Sequence, residues 1–390
     1  MTALPAIWTL PEPHPGAVHG RTRPSAAGQT IEWIRQAGDI DALADEWREL
    51  EASVQQRTVL STFDYNATWY RYYAGAVGGD ALIGVARRGS TLVGIAPLVI
   101  RRRRIGRLPL TCVEFAAHEA YAGEFLVEDD RPDTVASFLD SLARTIRFDV
   151  VCLNGIDDPD RFAAVSGTAA RHRLPVEATD HPNAIVDLSK GYDAYFRERK
   201  QHFRSGVRRH ARRIEAVGRP VIDGIQLTRG LDRLEDSVAR MIAINEASYK
   251  LNGERLADCH RGFLSELVRR FGPRGMLSLP ILSIGGRDAA FVIGLVERNC
   301  FYDVTLCYEE AVAHLSPGSH LTQELLRDFA SLGVHTFVSH GAHEYKKHWA
   351  SALVPSRRVF LFSRGIRGAA ARFVRFSLRP IWRRMGVAEP

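Results

Sequence analysis

The sequence predicts an α/β protein of two tandem layered units, each a mixed, mostly antiparallel sheet flanked by helices. Three observations carry this. Strand-like apolar runs alternate with amphipathic helical stretches, the pattern of sheets covered by helices. The order of elements in the first half recurs in the second, although the residues themselves do not repeat. A chain of 390 residues also exceeds what one hydrophobic core usually organises, so two domains are expected.

Residues 1–30 are rich in proline and small residues with little periodicity, and read as a disordered or loosely ordered arm. The first unit, 31–185, opens with a strand at 31–35 and a helix capped by Asp39, with Leu43, Trp47 and Leu50 on its inner face. An aromatic-rich helix follows at 65–77, then a hairpin of 81–87 and 91–100 turning at Arg88-Gly89-Ser90. The run Arg101–Arg104 reads as a solvated loop at a strand end. Strands at 110–115 and 124–127, a helix at 134–146, a buried strand at 148–153, a helix at 159–172 and strand-like runs at 174–179 and 184–188 complete the unit.

The second unit, 186–363, starts with a helix at 195–217, then a strand at 221–227 and helices at 231–249 and 259–271. A three-strand meander at 276–284, 288–297 and 299–307 leads to the stretch 316–349, and a strand at 358–362 closes the unit. Within its first helix, eight basic residues against Glu198 give 197–213 a charge of +7, with Phe196, Phe203, Val207 and Ile214 as a buried stripe. That arginine face reads either as an attractor for an acidic ligand or as a solvated helix surface. Segment 364–390 reads as a basic helix. Seven arginines and no acid stand in 364–384, which suits an acidic membrane surface or packing on its own domain.

Composition bounds the function. Hydrophobic residues at 45% and charged residues at 25% are ordinary for a globular protein. A net charge of +7 and a pI near 9.3 point to an acidic partner without choosing among phosphate cofactor, nucleic acid and membrane. The five cysteines form no CxxC pair and read as reduced thiols of a cytoplasmic protein. No basic-then-apolar leader is present, and the longest apolar runs, such as 95–100, are too short to span a bilayer.

The stretch 316–349 concentrates the chemistry. Ser316-Pro317-Gly318-Ser319 breaks the preceding strand and opens a helix over 321–332, with Leu321, Leu325, Phe329 and Leu332 on its buried face and Gly333 ending it. A Gly-containing turn at a helix N-terminus presents backbone N–H groups to an anion, although most such turns only connect elements. The spacing matches neither a nucleotide P-loop nor a dinucleotide fingerprint. His340, His343 and His348 match no familiar ligand spacing, so no metal is expected.

The meander, the Ser316-Pro317-Gly318 turn with Leu321, the helix ending at Gly333, the next strand, and Gly341, Tyr345-Lys346 and Trp349 together resemble the GNAT acyltransferase superfamily. Within it they are most similar to the CelD-like group associated with polysaccharide gene clusters. The resemblance covers about residues 31–362, with the run Leu92-Val93-Gly94-Ile95-Ala96-Pro97-Leu98 and the arginine-rich helix among its features. It implies two GNAT-like domains in tandem, as in Fem-type relatives, and acyl transfer in a cleft between them. Acetyl-CoA or another acyl-CoA is the implied donor, and a small metabolite, sugar or amino acid the acceptor. The GNAT cofactor loop is usually closer to Q/R-x-x-G-x-G/A, of which this chain keeps only Gly318, and Fem-type relatives draw on aminoacyl-tRNA instead.

The resemblance further implies that the strands at 299–307 and 334–339 splay apart to admit a pantetheine arm, with phosphates on the residues Ser316, Gly318, Ser319, His320 and Leu321. Acyl transfer needs a base, a donor for the leaving thiolate and a group polarising the carbonyl. Asp303 or Glu344 is the expected base and Tyr345 the expected acid. Lys346 is expected on the carbonyl or cofactor, and Arg204, Arg208 and Tyr308 on the substrate. Glu344-Tyr345-Lys346 reads equally as a structural cap over the strand end.

Overall fold

The computed structural model describes residues 28–76, 79–105, 107–117, 123–129, 133–248 and 257–378. Of the arm expected over 1–30, positions 1–27 lie outside the described residues and Gln29 and Thr30 begin a strand; position 77 of the expected aromatic-rich helix, Tyr249 and positions 379–390 of the basic tail also lie outside them. The chain divides into two units, one reaching His181 and resuming at Pro355, the other running from Pro182 to Val354.

The first unit opens with β1 (Gln29–Ile34), α1 (Ala44–Ser53), α2 (Phe63–Trp69), the hairpin β2 (Gly79–Arg88) and β3 (Thr91–Ile105), then β4 (Leu108–Phe115) and the short β5 (Leu126–Val127). α3 (Asp133–Thr145), β6 (Val150–Ile156), α4 (Pro159–His172) and β7 (Val176–Asp180) follow. α4 has the expected bounds because its ends are chemically marked. Asp158 accepts from the Asp160 and Arg161 amides, Pro159 occupies the first turn, and Arg173 leaves the helix in the left-handed region at φ 55°.

The second unit contains β8 (Asn183–Asp187), α5 (Tyr192–Glu198), α6 (Gln201–Val217), β9 (Pro220–Gln226), α7 (Leu234–Glu246) and α8 (Asp258–Phe271). The meander β10 (Leu277–Ile284), β11 (Arg287–Glu297) and β12 (Cys300–Tyr308) comes next, then α9 (Pro317–Ser331), β13 (Thr336–Ser339), α10 (Glu344–Trp349) and β14 (Ala352–Val354). Its sheet runs β14-β8-β13-β12-β11-β10-β9. Leu321, Leu325 and Phe329 of α9 are buried on it, with the Phe329 ring 4.8 Å from that of Phe301.

Four expectations change. β15 (Arg357–Phe362), expected to close the second unit, instead lies between β6 and β7 in the first sheet, β1-β2-β3-β4-β6-β15-β7. Conversely the strand expected at 184–188 in the first unit is β8, paired with β13 and β14 of the second. The single helix expected over 195–217 is two, because Arg199 is extended (φ −73°, ψ 150°) and interrupts the turn-to-turn hydrogen bonding. The four-arginine run is not a loop but the end of β3. There Glu114 of β4 takes Arg101 at 3.1 Å and Arg103 at 3.0 Å, which lets a charged run stay in the sheet. The chain ends, as described, with α11 (Ile366–Phe373) and a short π-helical turn to Leu378.

Candidate active site

The second sheet opens at Asp303. β12 and β13 run parallel for three rungs, Cys300 with Thr336, Phe301 with Phe337 and Tyr302 with Val338. Past them β12 stays paired to β11 as far as Tyr308, while β13 ends at Ser339. The strands part where Ser339 Oγ donates to Asp303 Oδ2 at 2.7 Å. A bulge lies immediately beyond. Gly294 faces Asp303 but Ile293 faces Thr305, so Val304 is an extra residue on β12. The extra residue shifts the side-chain alternation, and Asp303, Leu306 and Tyr308 consequently line one cavity.

That cavity holds about 370 Å³, and every lining residue belongs to the second unit. The sheet contributes Val292, Phe337 and Ser339, with Val186 and Ala184 opposite the last two on β8. The start of α9 supplies Ser316, Gly318, Ser319 and Thr322, and α10 supplies Tyr345, Lys346 and Trp349. Gly318 has a specific reason to be glycine. A Cβ there would lie 2.9 Å from Leu306 Cδ2, so the glycine lets α9 approach β12 without displacing that side chain.

Asp303 is the electrostatic centre. Lys346 Nζ stands 3.6 Å from its Oδ2 and donates to the His340 carbonyl at 2.9 Å. Both charged side chains are largely buried, at 15% and 13% exposure. Asp303 Oδ1 is buried with no hydrogen-bond partner, an arrangement that costs desolvation free energy unless something else meets it. Tyr345 lines the same cavity but is 58% exposed, with its ring parallel to that of His343.

The other expected residues divide. Ser316, Gly318, Ser319, Tyr308, Asp303, Tyr345 and Lys346 come together around the cavity. Glu344 does not line it. Its exposed side chain bonds Lys347 at 2.5 Å, and that ammonium holds its carboxyl below the usual range, which weakens it as a base. Leu321 is fully buried in the core, and His320 is buried on α9 with burial pushing its pKa down. Arg208 is exposed on α6, and Arg204 is half-buried with its Nε unpartnered; neither lines the cavity.

The anion cradle expected at the start of α9 is smaller than the turn suggests. Ser316 sits in the left-handed region at φ 57°, and its carbonyl accepts from the Ser319 and His320 amides at 3.1 and 3.3 Å. Pro317 has no N–H, so among the described residues the Gly318 amide is the first-turn donor not engaged in that turn.

Sequence reasoning missed Ser339, Thr322, Ala184 and Val186. Ser339 is signalled only as the polar end of an apolar strand, and β8 carries no local mark of which sheet it joins. It also missed Arg199, which clamps the end of α10. Its Nη1 donates to the Ala350 carbonyl, while Tyr195 Oη donates to the Trp349 carbonyl at 2.6 Å.

The first unit repeats the geometry with different contents. β4 and β6 also run parallel for three rungs, ending at Glu114 with Cys152. The next residue on β4, the counterpart of Asp303, is Phe115, buried edge-on against Phe125 at 4.9 Å. An aromatic plug thus stands where the second unit places a carboxylate.

Two mixed sheets, each with a β–α–β passage whose parallel strands part, define the tandem GNAT-like fold. Residues 201–347 match the family described as acetyltransferase (GNAT) domain. Solved structures agree at the level of fold. A structure of FemX is 12% identical with a TM-score of 0.54, covering 85% of this chain and 96% of its own. The C-terminal domain of a putative lysylphosphatidylglycerol synthetase from Agrobacterium fabrum gives 12% and 0.54, over 86% and 97%. L-PGS from Bacillus licheniformis gives 12% and 0.53, over 89% and 99%. No curated protein matches the chain by sequence.

Proposed function

We propose that the protein moves an acyl group, most simply acetyl, from a coenzyme A thioester to an amine or hydroxyl of a small metabolite, sugar or amino acid in the cytoplasm. The supporting observation is Asp303, which lines a cavity at the parting of β12 and β13 and whose buried Oδ1 has no hydrogen-bond partner. The residues fit such a donor. Val186, Val292, Leu306 and Phe337 suit a pantetheine arm, and 370 Å³ lies within the size range of ligand pockets. The Gly318 amide and the Ser316 and Ser319 hydroxyls stand at the positive end of α9, where a phosphate is favoured.

The donor supplies an activated carbonyl and a thiolate leaving group. Asp303 Oδ1 accepts the proton of the attacking amine or hydroxyl, while Ser339 and Lys346 hold Oδ2 and fix the carboxylate. Tyr345, which lines the cavity together with Tyr308, returns a proton to the departing sulfur. Incubation with acetyl-CoA and a pool of amines and sugars, followed by thiol release and product mass, tests the reading. Asp303→Asn should slow release by about 10²–10⁴-fold while the variant still binds acetyl-CoA. Full activity in that variant would remove Asp303 as base.

One observation favours a second donor. Arg208, Arg209, Arg212 and Arg213 are solvent-facing on α6, and none makes an ion pair among the described residues. Such a stripe suits a polyanion, so aminoacyl-tRNA as donor is the alternative. Tight tRNA binding that weakens steeply with salt, with no response to acetyl-CoA, would select it.

A further inference from the structure

α11 is inverted for a surface helix. Its packed face is small: Gly368 and Ala371 are buried, and a Cβ on Gly368 would lie 2.3 Å from the Ser363 carbonyl oxygen. Its two large apolar side chains, Ile366 and Phe373, are 88% and 56% exposed. At about 100° per residue, Ile366, Ala370 and Phe373 form one stripe on the side opposite Gly368 and Ala371. An ordinary surface helix turns its bulky apolar residues inward.

The helix is nevertheless fastened. Arg372 pairs with Glu177 at 2.7 Å, and the Arg375 guanidinium lies 4.3 Å from the centre of the Phe360 ring. Arg364 and Arg367, on either side of Ile366, are exposed and make no ion pair among the described residues. The sequence from 364 to 384 holds seven arginines and no carboxylate.

We propose that this face docks on an anionic lipid bilayer, with Ile366 and Phe373 entering the interface and Arg364 and Arg367 meeting lipid phosphates. Charge complementarity selects this occupant. A second copy joined through the same face by a two-fold axis would set arginines against arginines. A bilayer carrying anionic headgroups instead offers phosphate to the guanidinium forks and hydrocarbon to the two apolar side chains.

Co-sedimentation of the full chain with vesicles tests this. Binding is expected to equimolar phosphatidylcholine and phosphatidylglycerol at low salt, with loss at high salt and little binding to phosphatidylcholine alone. Arg367→Glu should weaken binding roughly fivefold or more. The double variant Ile366→Asp, Phe373→Asp should abolish it without lowering the melting temperature, since both side chains are exposed. No binding by the wild type, or undiminished binding by the double variant, overturns the proposal. So does a concentration-dependent dimer that the double variant loses. A chain ending at Leu378 that binds where the full chain does not overturns it too.

Discussion

Asp303 and Glu344 are carboxylates of one unit in opposite circumstances. Asp303 is enclosed, fixed through Oδ2 and bare at Oδ1, whereas Glu344 is solvated and paired with Lys347. Glu344→Gln should therefore leave both rate and melting temperature unchanged, in contrast to Asp303→Asn. Steady-state kinetics on the two variants side by side checks this, and a large loss in Glu344→Gln would reverse the assignment. His320 makes a different prediction. Its folded pKa lies below the ordinary 6.5, first through burial and then through Arg327, with Glu324 and Glu215 opposing. His210 is lowered likewise, by burial and by Arg209 and Arg213. For a depressed histidine the unfolded chain binds the proton first, so stability is full above 6.5 and declines as pH falls below it. Thermal denaturation between neutral and mildly acidic pH should show this decline, and His320→Gln should flatten it. An identical slope in the variant would mean that His320 does not contribute.

At the scale of elements, the site is made by β12, α9 and α10 acting together. The bulge at Val304 turns three side chains to one cavity, and Gly318 lets α9 close over them. α10 has six residues and is held at its C-terminal end by Arg199 and Tyr195. Arg199 is only 12% exposed, and its charge sits at the negative end of that helix. Arg199→Met should cost about 1–3 kcal/mol by leaving the Ala350 carbonyl unpaired, measurable by urea denaturation. Arg199→Lys should recover only part, since a compact ammonium replaces the planar guanidinium whose Nη1 meets the Ala350 carbonyl. Much at this scale was legible. The hairpin of β2 and β3, α4 over 159–172, and α9 with its Leu321–Leu325–Phe329 face all follow from local residue order. The bulge was not legible, because an unpaired residue shows only against a partner strand. The break at Arg199 was hidden inside continuous helical periodicity.

At the scale of the molecule, the sequence revealed a tandem plan but not the exchange of strands that completes it. An apolar run shows that a segment is a strand; it does not show which sheet receives it. β8 and β15 each join the sheet of the other half, and so the wall formed by Ala184 and Val186 could not be foreseen. The net charge was legible as a total, while its division between the α6 stripe, the Glu114 pairs and α11 needed the fold. The central claim, that a thioester donor occupies the cavity between β12 and β13, is tested by thermal denaturation with saturating acetyl-CoA. The wild-type melting temperature should rise by several degrees, because the ligand binds the native state alone. Ala184→Leu, which fills that cavity from β8, should fold but show no rise. A full rise in Ala184→Leu would put the donor elsewhere, and no rise in the wild type would contradict a coenzyme A donor altogether.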